Sequence, residues 1–320
     1  MLERTDFEKK QIVVMFSSQG EKTSFKNDNI IIKDKSGNTK YQISCYRVFS
    51  LMIVGEVSIT SGLIQRAKKF GFTIVLFTRG FKVYSVIGTR MEGNILLHRK
   101  QYAYDTDELA NFIVLNKLKN QKDTINLIRN KNEANKEAVK KIDAYIDACR
   151  NYDLSKKSLL GIEGSAARVY FSQVFNNTQW QGRKPRVKND YVNASLDIGY
   201  TILFNMVDAL LQIYGFDVYY GIYHKEFYMR KSLVCDLMEP MRPIIDWTVR
   251  KAVNLKQIQK EDFEIFNNRY VLKYEHNPKY VEIFLKALLD NKNKMFLFVQ
   301  NYYRCFMKNK EANKFQEFRI

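Results

Sequence analysis

The chain is 320 residues long, is 46% hydrophobic, and carries a formal net charge of +18 because 52 Lys and Arg outnumber 34 Asp and Glu. This length favours two domains, and the low content of four prolines and fourteen glycines excludes a disordered or low-complexity chain. So strong a positive charge predicts a polyanionic partner, either nucleic acid or an anionic membrane surface.

The first ninety residues alternate short apolar runs with turn residues, as strands do. Leu63, Ala67 and Phe70 recur at helical spacing, and Gly71 is placed to end that helix. We therefore predict a small β-sheet domain over residues 1–90 with one helix packed on it. Its strands are predicted at residues 11–17, 29–33, 39–44, 50–54, 73–77 and 81–87.

From about residue 100 the apolar residues recur with the period of helices. Asp105 and Glu108 resemble a capping box before one helix, and residues 134–150 show a second apolar stripe. Residues 90–94 have the composition of a linker. We predict an α+β fold class, in which residues 91–320 form a larger, all-helical catalytic domain.

A membrane partner and an oxidising compartment are both disfavoured. The most apolar stretch, residues 196–214, contains Asp197, Asn205 and Asp208, which a helix in contact with lipid would not tolerate. The start of the chain mixes acids with bases and lacks the apolar region of a secretory signal. No CxxC pair or metal knuckle is formed by the cysteines, so we expect reduced thiols in a cytoplasmic protein; they are Cys45, Cys149, Cys235 and Cys305.

Two segments about sixty residues apart hold the candidate site. They are GIEGSAARVYF at 161–171 and GIYHKEFYMRKSLVCDLMEPMRP at 221–243. Together they supply carboxylates and one imidazole, a ligand set that suits Mg²⁺ or Mn²⁺ better than a closed zinc site. A hard cation beside a basic surface is what phosphodiester chemistry requires. The candidate residues are Glu163, His224, Asp236 and Glu239.

The spacing of these residues permits a shared site, although each has a simpler interpretation. Asp236 and Glu239 are three apart, so on a helix they project from one face, but such pairs are also common on solvated helices. Glu163 lies among small residues that would let a ligand approach, or it is an exposed acid on a packed helix. His224 follows an aromatic run and could equally be a satisfied core histidine.

As one site, the four side chains have distinct roles. A divalent ion held by Glu163, His224 and Glu239 would leave room for a phosphate oxygen or a 3′-hydroxyl. Asp236 could then accept a proton, steady a water molecule or hold the imidazole tautomer.

These segments resemble the family of CRISPR-associated integrases that act in spacer acquisition, "Cas one". The family's motifs are a Glu within GxEGxxAR, a His that ends GxxH, and an acid in DxxE or DxxD, and the similarity covers nearly the whole chain. The resemblance implies that Glu163, His224 and Glu239 are the metal ligands and that Asp236 assists them. One departure is Asp190-Tyr191-Val192-Asn193, where the family often has Asp-Pro-Val-Asn; this affects how Asp190 caps the next helix rather than the chemistry.

The resemblance also implies an assembly and a DNA substrate. It implies a homodimer whose N-terminal domain provides dimerisation and partner contacts, and two such dimers bridged by a small ferredoxin-like partner dimer, "Cas two". The 3′ ends of a short DNA duplex would be joined to a repeat array. The basic side chains that we expect to contact DNA are Arg168, Arg183, Lys184, Arg186, Lys231 and Arg242.

Two other functions stay open. One is a hydrolytic, metal-dependent nuclease that acts on branched or single-stranded DNA. The other is a DNA-binding scaffold with a vestigial metal site, against which the presence of all three ligand types argues.

Overall fold

The computed structural model describes residues 3–17, 20–88, 94–150, 152–176, 178, 180, 182–184, 187–224 and 227–320. The chain forms two compact units, one of Met1–Gly93 with Gln212–Gly215 and one of Asn94–Leu211 with Phe216–Ile320. The predicted boundary between residues 90 and 91, within the predicted linker, lies outside the described residues.

The first unit is built from two sheets and a helix. The strands are β1 (Gln11–Phe16), β2 (Lys22–Lys26), β3 (Asn29–Lys33), β4 (Thr39–Ser44), β5 (Val48–Val54), β6 (Thr73–Phe77) and β7 (Val83–Ile87). A four-stranded sheet has the order β1-β5-β6-β7, in which the first three strands are parallel and β7 is antiparallel to β6. Strands β2, β3 and β4 form an antiparallel sheet.

The core of this unit follows from its two central strands. Every residue of β5 and β6 is buried, as expected for parallel strands that are covered on both faces. Helix α2 (Ser61–Phe70) adds Leu63, Ala67 and Phe70 to the same core. Gly71 ends the helix with a left-handed φ of 69°, as predicted. A short helix, α1 (Arg4–Glu8), precedes β1.

The second unit is mostly helical. Its helices are α3 (Ile95–Tyr102), α4 (Glu108–Asn126), α5 (Glu133–Ala148), α6 (Lys156–Val174), α7 (Tyr191–Tyr214), α8 (Ser232–Met238), α9 (Arg242–Asn254) and α10 (Asn277–Met307). The unit is arranged around α4, which is buried along most of its length and packs against α5, α6, α9 and a 3-10 turn at Glu239–Met241. A β-hairpin of β8 (Phe263–Phe266) and β9 (Arg269–Leu272) follows α9.

The predicted α+β fold class is confirmed, with a β-rich N-terminal region followed by a mostly helical one. Two details differ. The helical unit is not all-helical, because it contains the β8–β9 hairpin. The predicted capping box is wrong, since α4 begins at Glu108 after Asp107 and that residue's side chain makes no capping bond.

Helix α7 is a core helix despite its apolar composition. Among the described residues it is the one helix long and apolar enough to cross a membrane, but 83% of its most apolar window is buried within the protein. Asp190 caps its first turn, as predicted, because its Oδ1 accepts a hydrogen bond from the Asn193 amide at 2.7 Å. Its acids are paired, Asp197 with Arg183 at 2.6 Å and Asp208 with Lys231.

Candidate active site

Helix α6 presents Glu163 halfway along its length. Its Oε1 accepts a hydrogen bond from the Lys117 ammonium on α4, and its Oε2 accepts one from the Tyr223 hydroxyl at 2.5 Å. Packing does not require the glycines on either side, because a Cβ at Gly161 or Gly164 would meet no atom within 4 Å. The helix is therefore open next to Glu163, as the small residues around it suggested.

Glu239 lies on the 3-10 turn that joins α8 to α9 and is only 3% exposed. Its Oε2 accepts a hydrogen bond from Lys117 Nζ at 2.6 Å, and its Oε1 accepts one from Arg242 Nε at 2.8 Å. Burial alone would raise the pKa of this carboxyl, but the positive charges of Arg242 and Lys117 lower it to about 2. Glu239 is thus an ionised, buried carboxylate.

Lys117 joins the two glutamates. Burial lowers the pKa of its ammonium, but the negative charges of Glu163 and Glu239 outweigh burial and raise the pKa above its ordinary value. Lys117 therefore stays charged and holds the two carboxylates, which come from distant parts of the chain, around a single positive charge.

Asp236 organises the loop that carries His224. The carboxylate is fully buried and accepts hydrogen bonds from the backbone amides of Ile222, Tyr223 and His224 at 2.6, 3.1 and 2.9 Å. Its Oδ1 also lies 2.6 Å from Nδ1 of the His224 ring. A proton on Nδ1 satisfies this contact and leaves the Nε2 lone pair for another ligand.

Gly221 makes this arrangement possible. A Cβ at this position would lie 2.6 Å from Ser232 Cβ, 2.8 Å from the His224 carbonyl oxygen and 3.1 Å from Asp236 Oδ2. Any side chain would push the loop away from Asp236. The glycine of the GIYH segment is therefore required for the position of His224.

The two acids of the DLME segment have different surroundings. The spacing predicted that Asp236 and Glu239 share one helix. That prediction is wrong, because helix α8 ends at Met238 and Glu239 lies on the following turn. Asp236 faces the loop of His224, whereas Glu239 faces Lys117. The hydroxyl of Tyr223 connects the two halves, because it donates to Glu163 from the residue before His224.

The chemistry of these donors fits a divalent ion, although they are not arranged as a closed metal cage. Within the part of the chain that the structure describes, no three acidic, histidine or cysteine side chains surround one point as a metal site does. Glu163 and Glu239 nevertheless converge on one cationic group, and the Nδ1 contact of His224 directs its Nε2 lone pair to a ligand role. The assignment of these three residues as ligands stays a prediction.

Comparison with known proteins identifies the family. Residues 14–286 match the family model described as CRISPR associated protein Cas1. The chain belongs to the Cas1 family. It is 31% identical over 225 residues to CRISPR-associated endonuclease Cas1 1 of Thermodesulfovibrio yellowstonii, which covers 67% of this chain and 71% of that protein. It is also 31% identical to CRISPR-associated protein Cas1 3 of Methanobrevibacter ruminantium, and that match covers 77% of this chain and 80% of the relative.

Solved structures that contain Cas1, and one of a casposase, share its fold. A CAS1 protein from Thermotoga maritima aligns with a TM-score of 0.76 and 19% identity, covering 93% of this chain and 97% of that one. A Cas6-RT-Cas1–Cas2 complex aligns with a TM-score of 0.79 and 21% identity over 97% of this chain and 36% of the longer one. A casposase bound to integration product aligns with a TM-score of 0.73 and 19% identity over 97% and 96%. The predicted family is confirmed. The predicted enzyme class is confirmed too, because homologues are named CRISPR-associated endonuclease Cas1.

The basic residues predicted to contact DNA in this Cas1 chain have different environments. Arg168 and Lys184 are exposed, whereas Arg186 lies outside the described residues. The other three are paired with acids, Arg183 with Asp197, Lys231 with Asp208 and Arg242 with Glu239. Their roles toward DNA stay predictions.

A polar network behind Glu239 was not predicted from the sequence. The Tyr200 ring lies 4.6 Å from the Arg242 guanidinium carbon and 5.3 Å from that of Arg183. The hydroxyls of Tyr200 and Tyr170 both donate to the buried carboxyl of Asp246. Burial raises the pKa of Asp246 to about 6, although the hydrogen bonds from the two tyrosines act in the opposite direction.

Two further features were not predicted from the sequence, the buried Lys117 and an exposed apolar surface. Lys117 carried a signal, because it lies four residues after Ile113 and so continues the apolar stripe of α4 with a charged residue. Further along the chain than His224, the side chains of Phe227, Tyr228 and Met229 are 75%, 86% and 77% exposed, which makes an exposed apolar surface.

Proposed function

We propose that this Cas1-family protein is a divalent-metal-dependent DNA integrase that joins the 3′-hydroxyl ends of short duplexes to a repeat array. The observation that carries the proposal is the convergence of Glu163 and Glu239 on one positive charge, with His224 oriented by Asp236 in the adjacent loop. Carboxylate and imidazole donors beside a strongly basic surface suit a reaction between phosphodiesters.

The residues would divide the work in the following way. Glu163, His224 and Glu239 would hold Mg²⁺ or Mn²⁺, which when bound lowers the pKa of a hydroxyl and neutralises a phosphate. Asp236 fixes the ring of His224, and Tyr223 and Lys117 fix the carboxylate of Glu163. These contacts hold the donors before DNA arrives, so that little reorganisation is needed in the reaction.

Side chains around the site would receive DNA. Arg168 on α6 and Lys184 in the basic loop are exposed and can pair with phosphates. Phe227 and Tyr228 offer exposed rings on which unpaired bases can stack. Arg242 is already bonded to Glu239 and stacked on Tyr200, so it would contribute positive charge to the site more than a separate phosphate contact.

The partners we propose are those of an integration complex. A homodimer, with two dimers bridged by the small ferredoxin-like partner dimer, would span a DNA duplex in the cytoplasm. Support comes from two structural neighbours, a Cas6-RT-Cas1–Cas2 complex and a casposase bound to integration product. A hydrolytic nuclease and a DNA-binding scaffold are the alternatives.

Substitution of the three proposed ligands tests this function. Glu163→Gln, His224→Ala and Glu239→Gln should each abolish Mn²⁺-supported DNA joining while duplex affinity is kept, because Lys and Arg contacts to phosphate supply most of that affinity. Glu133→Gln, at an exposed acid on α5, is the matched control and should behave as wild type. Normal joining by folded protein carrying any of the three substitutions would show that the ligand assignment is wrong.

A further inference from the structure

The β8–β9 hairpin is firmly anchored at its base and exposed at its tip. Phe263 and Leu272 pair at the base and are 6% and 7% exposed. Ile265 and Phe266 near the tip are 65% and 66% exposed. The two residues between the strands, Asn267 and Asn268, have φ values of 49° and 57°, as a tight two-residue hairpin turn requires. The hairpin therefore presents large apolar side chains to solvent.

One face of the tip combines an aromatic ring with a guanidinium group. Phe266 is paired with Arg269 across the strands, so the two side chains lie on the same face, and Arg269 is also exposed. Ile265 is paired with Tyr270 on the opposite face. An apolar wedge flanked by a cation is a side-chain combination that proteins insert into DNA grooves.

Strand β9 contacts the basic loop of residues 179–190 within the part that the structure describes, residues 180, 182–184 and 187–190. The Tyr270 amide donates to the Lys188 carbonyl at 2.8 Å. Within that loop, Arg183 lies over the Tyr200 ring that Arg242 also contacts, and Arg242 is bonded to Glu239. The described residues of this loop thus contact the hairpin at Lys188 and, through the Tyr200 ring, the arginine that binds Glu239.

We propose that the hairpin tip is a DNA-contacting element, in which Phe266 packs in the minor groove and Arg269 pairs with a phosphate. The inference rests on the proposed function, because that function makes the ligand DNA. Charge favours DNA over a protein partner, since the tip carries the exposed Arg269 and the hairpin contacts the basic loop at Lys188 in a chain of net charge +18. The duplex contacted is either the short substrate or the repeat-bearing target.

Fluorescence anisotropy of the full chain tests the element with two probes over a salt series, a short duplex with 3′-hydroxyl ends and a longer repeat-bearing duplex. Phe266→Ser should weaken binding of at least one probe about tenfold, because a lost aromatic contact to bases has that size. Arg269→Gln should reduce the slope of log affinity against log salt by about 1. The control is Leu96→Ser on α3, where the native side chain is 68% exposed; it should bind as wild type.

The outcomes separate this inference from the proposed function. Because the tip is exposed, Phe266→Ser should melt as wild type, so weaker binding would not reflect unfolding. The inference is overturned if Phe266→Ser and Arg269→Gln bind both probes as Leu96→Ser does. It is also overturned if Phe266→Ser alters only the oligomeric state in light scattering, which would make the tip a protein interface. If Phe266→Ser weakens DNA binding while the wild-type protein joins no DNA, the hairpin contact is supported and the integrase is contradicted.

Discussion

The Lys117 ammonium lies 2.6 Å from Oε2 of Glu239, and both side chains are buried. The same ammonium donates to Glu163, so a single lysine bridges two carboxylates that come from α6 and from the turn after α8, and Arg242 supplies the second positive charge. Charge as well as packing thereby holds together three distant parts of the chain, which carry Lys117, Glu163 and Glu239.

Replacing Lys117 should therefore cost stability. Lys117→Met leaves the buried carboxylate of Glu239 and the partly buried one of Glu163 without their shared cation, and loss of one member of a buried ion pair costs about 3–5 kcal/mol. Urea unfolding of the full chain measures this change. Lys136→Met, at an exposed pair with Glu133, is the control and should change the free energy of unfolding by less than about 0.5 kcal/mol. Equal effects of the two substitutions would contradict the bridging role.

Asp236 should act through His224. Asp236→Ala removes the acceptor of the ring Nδ1 and of three backbone amides, so we expect DNA joining to fall by about 10- to 100-fold. Mn²⁺ binding, followed by electron paramagnetic resonance, should weaken in parallel. Asp143→Ala, at a partly exposed acid on α5, is the control. A wild-type joining rate in Asp236→Ala would remove this residue from the site.

The buried carboxyl of Asp246 should make stability depend on pH. Burial raises the pKa of Asp246 to about 6, so its protonated form is favoured in the folded protein. Asp246 contributes its full share to the free energy of unfolding below about pH 4. That contribution is lost as the pH rises through about 6, and the total loss is about 3 kcal/mol. Asp246→Asn mimics the neutral form, so its stability relative to wild type should increase between pH 4 and 7. A constant difference across that range would contradict the assignment.

Arg183 and Lys184 are neighbours in the basic loop but should respond differently to substitution. Arg183→Ala breaks the pair with Asp197 and the contact with Tyr200, so we expect it to lower the free energy of unfolding by about 1–3 kcal/mol. Lys184→Ala should leave stability unchanged and reduce the salt slope of DNA binding by about 1. Urea unfolding and anisotropy measure the two effects. An unaltered salt slope in Lys184→Ala would remove that side chain from the DNA surface.

The sequence predicted most of the helices and strands in which the buried residues form a regular apolar pattern. β6 lies at the predicted residues 73–77, and α2 ends at the predicted Gly71. β2 was missed because Lys22–Lys26 contains few apolar residues and becomes a strand by pairing with β3. The β8–β9 hairpin carried a signal in its two β-rich runs separated by Asn267-Asn268, but its alternating aromatic and basic residues obscured it.

The site was predictable in its residue types but not in its contacts. Motif spacing indicated Glu163, His224, Asp236 and Glu239, and the structure brings them into two linked pairs through Lys117 and Tyr223. These connecting residues depend on tertiary packing between α4, α6 and the 222–224 loop. No local pattern in the sequence specifies that packing.

In the proposed integrase reaction a DNA 3′-hydroxyl, rather than water, is the nucleophile. The direct test incubates the protein, its partner protein and Mg²⁺ or Mn²⁺ with a repeat-bearing plasmid and a short duplex that ends in either 3′-hydroxyl or 3′-dideoxy nucleotides. An integrase should give covalently joined products with the 3′-hydroxyl duplex and none with the 3′-dideoxy duplex. Equal nicking of the plasmid with both duplexes, and joining with neither, would contradict the integrase and favour a hydrolytic nuclease.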